Sequence, residues 1–193
     1  KLTGVKVLMG MESNLISIDG DTDMKESDLQ YFDIYLCGIH EVLKYKSLKD
    51  LRNIMLENYT AYKFGKRPSD KVISNTTKAY INAIKNNPID ILTHINYKCY
   101  CDLKEVAKCC ADYGTYIEIN TKKRHVSAEE LNLMASTGVK FLIDSDAHTP
   151  DRVGDIKLAE EILSEAEIPL EHIENINGKL PKLRFKEYKE KNF

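Results

Sequence analysis

Short apolar runs alternate with amphipathic segments along most of the chain, which is the pattern of repeated βα units. The runs are bounded by polar or turn-forming residues and have the length of buried strands. The pattern therefore predicts an α/β fold with a largely parallel sheet. The five predicted strands cover residues 5–12, 34–40, 89–94, 115–120 and 141–149.

The segments between the predicted strands carry helical spacing and recognisable helix ends. A helix from about Asp102 should end at Gly114, because glycine readily adopts the left-handed conformation of a C-cap. Ser127 and Glu130 have the spacing of a capping box. A small hairpin is predicted around the Asp19–Gly20 turn. The remaining predicted helices cover residues 46–62, 70–86 and 155–166, and a helix opened by the capping box should end at Gly138.

Four of the predicted strands end in residues that bind metal ions. Because parallel strands present their carboxyl ends at one edge of a sheet, these side chains are expected to lie close together. Carboxylate and imidazole donors suit divalent zinc, manganese or iron. In β geometry Asp146 and His148 would also share one side of their strand. The candidate ligands are Glu12, His40, His94, Asp146 and His148.

Composition narrows the classes of function. A chain of 193 residues with 42% hydrophobic content is long enough for one substantial core, and a net charge of −2 gives no overall attraction to nucleic acid or anionic membranes. There is no tryptophan, and only 8% of residues are aromatic, so stacking platforms for nucleic acid are scarce.

Without a long apolar run or a signal-peptide pattern at the start of the sequence, a cytoplasmic location is expected. The odd number of cysteines, five, favours reduced thiols, and Cys99 and Cys101 lack the second pair of a zinc knuckle.

Several motifs occur in the order and at the spacing of one known family. They are Met11–Asn14 followed by the Asp-Gly turn, Cys37–Glu41, the strand ending in His94, Ile117–Asn120, and Asp144–His148. Together they resemble the polymerase and histidinol phosphatase (PHP) domain family, and most closely its small bacterial phosphatase-like members. The resemblance spans nearly the whole chain.

The resemblance implies a distorted (β/α)7 TIM-like barrel with up to three divalent ions, zinc foremost, at the carboxyl ends of the strands. Glu12 would bridge two ions, and His40 and His94 would complete the second site. Asp146 would bind the first ion and His148 the third. Two ions about 3.5–4 Å apart can clamp the attacking and leaving oxygens of a phosphoryl transfer, with a bridging hydroxide as nucleophile.

The chain departs from this family at its start. PHP domains open with a His-x-His strand and further histidines, whereas the five histidines here are His40, His94, His125, His148 and His172. We therefore expect an N-terminally incomplete barrel, lacking its first βα units, over residues 1–178, and a solvated basic tail over residues 179–193. The expected activity is metal-dependent hydrolysis of a small phosphomonoester, with histidinol phosphate as one candidate. The alternatives are a non-catalytic metal-stabilised interaction module of a larger protein and a metal-free βα domain.

Other polar residues are assigned to the site or excluded from it by their position. Arg124 and Arg152 follow strand ends, and either could bind a substrate phosphate, Arg124 being the first choice of the two. Glu41 and Glu118 could orient a metal-bound imidazole or form surface salt bridges. Neither His125 nor His172 is predicted to be a ligand.

Overall fold

The computed structural model describes residues 4–40 and 44–193 and contains a five-stranded sheet in which neighbouring strands are parallel. The strands follow one another across the sheet in chain order, as in consecutive βα units. The predicted α/β class is therefore confirmed. The strands are β1 Gly10–Asn14, β2 Ile34–Gly38, β3 Ile91–Leu92, β4 Tyr116–Asn120 and β5 Phe141–Asp144.

Helices connect most of the strands, and two of the predicted helix ends have the expected geometry. Gly114 ends its helix at φ 73°, in the left-handed region. Ser127 and Glu130 form the capping box, in which each side chain accepts a hydrogen bond from the other residue's backbone N–H. The helices are α1 Leu48–Asp50, continued by a π-helical stretch Leu51–Leu56 and α2 Glu57–Lys63, then α3 Asp70–Asn86, α4 Leu103–Tyr113, α5 Ala128–Ala135, α6 Lys157–Glu165 and α7 Arg184–Asn192.

The hydrophobic core lies between one face of the sheet and the helices that cover it. Cys37, Leu92 and Ile117 point into this layer from β2, β3 and β4, and all three are fully buried. A smaller apolar cluster of Ile91, Tyr116 and Leu142 covers the other face. Within the described residues, no helix is both long enough and apolar enough to cross a membrane.

All five strands are shorter than the apolar runs that predicted them, β1 and β5 among them. β1 begins at Gly10, and Val5 and Val7 upstream of it are 73% and 86% exposed. β5 ends at Asp144, and Asp146 beyond it has φ 42°. The prediction that Asp146 lies in β geometry is therefore wrong, because its backbone has already turned out of the strand.

The C-terminal segment is not the solvated tail that its charge predicted. It ends in α7, and Phe185 on this helix is fully buried against Tyr35 of β2, with the two ring centroids 5.6 Å apart. The backbone N–H of Phe185 also donates to Asp90 Oδ1 at 2.9 Å. One aromatic side chain thus holds an otherwise basic segment on the sheet.

Asp90 should make stability depend on pH. This buried carboxylate also accepts a hydrogen bond from the backbone N–H of Tyr35 at 3.0 Å, and burial raises its pKa to about 6. In the unfolded chain an aspartate titrates near 3.9. Between those values the folded state holds more protons, so the Asp90 contribution to stability falls as pH rises.

We therefore expect Asp90→Asn, which cannot ionise, to be more destabilising at about pH 4 than at about pH 7. The difference between the two pH values should be about 1–3 kcal/mol. Urea unfolding of both proteins across this range measures it. A stability difference that does not vary with pH would contradict the assignment.

Candidate metal centre

Three predicted ligands from three neighbouring strands meet at the carboxyl edge of the sheet. Glu12 lies in β1, His40 follows β2, and His94 follows β3. Nε2 of His94 is 3.0 Å from Glu12 Oε1 and 3.1 Å from Nε2 of His40. Nε2 of His40 is 3.4 Å from the same carboxylate oxygen. We call these residues the three-ligand cluster, and they form a candidate metal-binding site.

Gly38 allows β2 and the end of β3 to approach closely at this point. A Cβ atom at position 38 would lie 2.8 Å from Cε1 of His94 and would also overlap the Thr93 hydroxyl. Contacts this short are not tolerated, so only glycine fits without displacing the imidazole. The Cys37–His40 motif therefore contributes one candidate ligand and also the space for a second candidate, His94, after the next strand.

Hydrogen bonds fix the orientation of the ligands. Asn14 Oδ1 lies 2.7 Å from Nδ1 of His40, and the Asn14 amide donates to Asp23 Oδ2 at 2.5 Å. The Asn14 oxygen must therefore face the imidazole, so Nδ1 of His40 carries the proton and its Nε2 lone pair points into the cluster. Thr93 Oγ1 donates to Glu12 Oε1 at 2.8 Å, which positions the carboxylate.

The carboxyl groups of Glu12, in the cluster, and Glu118, next to it, differ in their protonation state at neutral pH. Polar contacts of its carboxylate with the imidazoles of His40 and His94 hold the pKa of Glu12 well below its usual range, so this group is an anion at neutral pH. Burial raises the pKa of Glu118 to about 8, although the backbone N–H of His94 donates to it. The centre therefore has one ionised ligand and, behind it, a carboxyl group that is mainly neutral at pH 7.

The geometry of the three-ligand cluster fits a divalent metal ion. Donors about 2.0–2.1 Å from a tetrahedral zinc ion lie about 3.3 Å from one another, close to the separations between these three atoms. Two imidazole nitrogens and one carboxylate oxygen are also a common donor set for zinc, manganese or iron. Three protein ligands leave a coordination position open for water or substrate, as catalytic sites require.

Two of the five described non-glycine residues with positive φ are predicted ligands. His94 has φ 30° and Asp146 has φ 42°, values that residues other than glycine seldom adopt. Such conformations cost on the order of 1–3 kcal/mol and are found most often at functional sites. The surrounding structure must therefore hold both residues in place, as the Glu118 hydrogen bond does for His94.

Asp146 and His148 form a second group, in which a lysine takes part. The Lys122 ammonium is 3.2 Å from Asp146 Oδ2 and 3.0 Å from Nδ1 of His148, while Asp146 Oδ1 is 3.3 Å from that same nitrogen. Asn120 also donates to Asp146 at 3.3 Å. A carboxylate and an imidazole thus lie next to each other, and both contact the Lys122 ammonium.

The two arginines suggested for phosphate binding are engaged elsewhere. Arg124 forms an ion pair with Glu165 of α6, with Nη2 and Oε2 2.5 Å apart. Arg152 pairs with Asp155 at 2.9 Å and donates to the Thr121 carbonyl. Phosphate binding by either residue remains a prediction that would require these pairs to open.

The other glutamates and histidines that the sequence placed near the site, or excluded from it, have different surroundings in the structure. The buried Glu118 side chain accepts a hydrogen bond from the His94 backbone N–H. Glu41 lies outside the described residues. His125 is half-buried beside His94, with ring centroids 5.9 Å apart, and Nδ1 of each ring is buried without a hydrogen-bond partner among the described residues. His172 bonds to the Val139 carbonyl.

The positioning contacts of Asn14 and Thr93 and the specific contacts of Lys122 were not predicted from the sequence. Each is next to, or two residues from, a strand-end residue that was recognised, so proximity to the motifs was the available signal. In the sequence Lys122 is one of three consecutive basic residues that end at Arg124. Its contact with Asp146 depends on the pairing of β4 with β5, which residue spacing does not reveal.

No family model matches the chain. Comparison with curated proteins finds relatives named "Probable phosphatase". One from Thermoanaerobacter sp. is 32% identical over 200 residues, covering 99% of this chain and 72% of the relative. One from Shewanella halifaxensis is 32% identical over 181 residues, and one from Caldanaerobacter subterraneus is 30% identical over 184 residues. These two alignments cover 89% and 91% of this chain, and the chain spans 63% of each of the two relatives.

Proposed function

The chain belongs to the family of these probable phosphatases, and on that premise we propose that it is a metal-dependent phosphoesterase acting on a small phosphomonoester. The observation that carries the metal dependence is the convergence of Glu12, His40 and His94 on one point. We further propose that the five-stranded sheet is part of a PHP-type (β/α) barrel. The chain-order arrangement of its parallel strands supports this.

In this proposal Glu12, His40 and His94 hold one divalent ion, with zinc as the first choice and manganese or iron as alternatives. Such an ion would polarise the phosphoryl group and lower the pKa of a bound water, which supplies a nucleophile at neutral pH. The anionic state of Glu12 favours the ion, because its lowered pKa keeps the carboxylate deprotonated. The Asn14 contact keeps the His40 lone pair directed at the ion.

Asp146 and His148 are assigned to the same reaction through further metal ions, one bound by each residue. Their donors lie next to the Lys122 ammonium, which can neutralise charge on the phosphate oxygens. Arg124 is retained as a phosphate contact of lower priority, because it would first have to leave Glu165. Lys122 already lies beside Asp146 and His148.

The test is elemental analysis of the natural full-length protein, with phosphomonoester turnover measured on the same sample before and after chelation. We expect at least one tightly bound divalent ion per chain and turnover that disappears with the metal. Restoring activity by adding back zinc, manganese or iron separately would control for damage by the chelator and identify the active ion.

Two other outcomes would contradict the proposal. Bound metal without turnover over a broad phosphomonoester panel would favour a non-catalytic metal-stabilised module. Absence of bound metal, with full turnover retained in chelator, would mean that the three-ligand cluster is a hydrogen-bonded polar group and that phosphoester hydrolysis uses other residues.

A further inference from the structure

Two lysines leave the end of β4 on a fixed turn next to the metal centre. The Asn120 side-chain oxygen accepts hydrogen bonds from the backbone N–H groups of Lys122 at 2.9 Å and Lys123 at 3.1 Å. An Asx-type turn of this kind fixes the backbone and so the direction in which each side chain starts. Lys122 then reaches Asp146 and His148, whereas Lys123 extends to a different surface.

That second surface consists of two tyrosines and two lysines. The Lys123 ammonium lies 5.3 Å from the Tyr97 ring centroid and 5.9 Å from that of Tyr62, and it donates to the Tyr62 hydroxyl at 3.2 Å. The Lys98 ammonium lies 4.5 and 5.5 Å from the same two centroids. We call Tyr62, Tyr97, Lys98 and Lys123 the lysine–tyrosine surface.

The arrangement brings two positive charges from separate loops onto one pair of rings. Cation–π contacts at exposed sites contribute only about 0.5–1 kcal/mol each, but they hold long side chains in place. Among the described residues, no carboxylate lies within ion-pair distance of Lys123, and its side chain is exposed. Its charge is therefore positioned, yet it remains available to an anion from solution.

The lysine–tyrosine surface is directly connected to the metal centre. Tyr97 packs edge-on against His94, with ring centroids 5.7 Å apart, and in a tilted arrangement against His125, with centroids 4.7 Å apart. The Tyr97 ring thus contacts both the His94 imidazole and the Lys123 ammonium, and it links the two. A sugar-sized molecule whose phosphate lies at the three-ligand cluster could extend a second group to Lys123.

We propose that the lysine–tyrosine surface binds a second anionic group of the substrate, so that the preferred substrate is a phosphomonoester with a further phosphate or carboxylate. The inference rests on the proposed phosphoesterase function, which supplies the position of the first phosphate. The ammonium of Lys123 would form a charge-assisted hydrogen bond to the second anion, with Lys98 adding positive potential.

The test uses two pairs of compounds that differ by one anionic group. Fructose 1,6-bisphosphate is compared with fructose 6-phosphate, and 6-phosphogluconate with glucose 6-phosphate. Calorimetric titration into the chelated full-length protein measures binding where no turnover occurs, and kcat/KM is measured on the metal-loaded protein. We expect the compound with two anionic groups to be preferred by about tenfold in at least one pair. A preference within the fructose pair would indicate recognition of a second phosphate, and a preference within the 6-phosphogluconate pair would indicate recognition of a carboxylate.

Substitutions then assign the preference to Lys123. Lys123→Gln should reduce the preference to less than about twofold and Lys123→Glu should reverse it, whereas Lys108→Gln on the exposed side of α4 should leave it intact. Equal binding within both pairs, no detectable binding at millimolar concentration, or an unchanged preference in Lys123→Gln would each overturn the inference. Failure of the phosphoesterase proposal is separately visible as loss of turnover on all four compounds, because the titrations do not depend on catalysis.

Discussion

Replacing His94 with alanine is expected to remove the metal ion from the three-ligand cluster and to lower phosphomonoester turnover about a thousandfold. His94 contacts both other ligands through one nitrogen, with separations of 3.0 and 3.1 Å. Without it two protein ligands remain, fewer than the three that catalytic zinc sites use. A metal ion contributes several kcal/mol of transition-state stabilisation, and about 4 kcal/mol corresponds to this loss of rate.

His94 is buried and has φ 30°, so its replacement by alanine leaves a cavity and could also destabilise the fold. A second variant is therefore needed that tests the ligand role without creating a cavity. Glu12→Gln keeps the shape of the side chain and an oxygen for the Thr93 hydroxyl, but it removes the negative charge. It should also lose the ion, while its circular dichroism and its melting temperature without metal should stay close to those of the parent protein.

His172→Gln is the matched control, because this histidine bonds to the Val139 carbonyl, away from the cluster. It should retain full metal content and turnover. Metal content is measured by elemental analysis, and turnover by steady-state kinetics, on the parent protein and on all three variants. Retention of stoichiometric metal by both His94→Ala and Glu12→Gln would refute the assignment of the cluster as a metal site.

The ligand positions were accessible from sequence because strand ends follow a simple rule. Apolar runs ending in Glu12, His40 and His94 indicate strands, and carboxyl ends of parallel strands meet at one edge. The structure brings donor atoms of these three side chains within 3.0–3.4 Å of one another. The helix ends at Gly114 and Ser127 were equally predictable, because capping depends on a few adjacent residues.

Features that depend on contacts across the fold were not predictable from residue spacing. The burial of Glu118 beneath the His94 backbone requires β3 and β4 to pair, which no local pattern specifies. The left-handed backbone of Asp146 likewise has no signature in an apolar run. Lys122 and Lys123 occur as one charged stretch in the sequence, but in the structure Lys122 contacts Asp146 and Lys123 contacts the Tyr97 ring.

The C-terminal helix illustrates the same limit for stability. Composition describes residues 179–193 as basic and polar, and such segments are usually solvated. A single phenylalanine reverses that prediction, because Phe185 is fully buried, packs on Tyr35 and brings its backbone N–H to Asp90. The helix should therefore contribute measurably to the folding free energy.

We expect Phe185→Ala to lower the free energy of unfolding by about 3–5 kcal/mol, the range for truncating a buried aromatic side chain. For a chain of this length the melting temperature should fall by roughly 10 °C. Phe185→Leu, which keeps most of the apolar volume, should lose clearly less. Urea unfolding and thermal melts of metal-free protein measure both variants without interference from ligand binding.

Phe193→Ala provides a control at the other end of the same helix, since this phenylalanine is 70% exposed and its removal should change stability by less than about 0.5 kcal/mol. Hydrogen exchange adds a local measurement, because the amides of α7 should lose protection in Phe185→Ala and keep it in Phe193→Ala. If the two alanine variants are equally stable, α7 is not docked on the sheet in solution, and the sequence-based description of a solvated tail is correct after all.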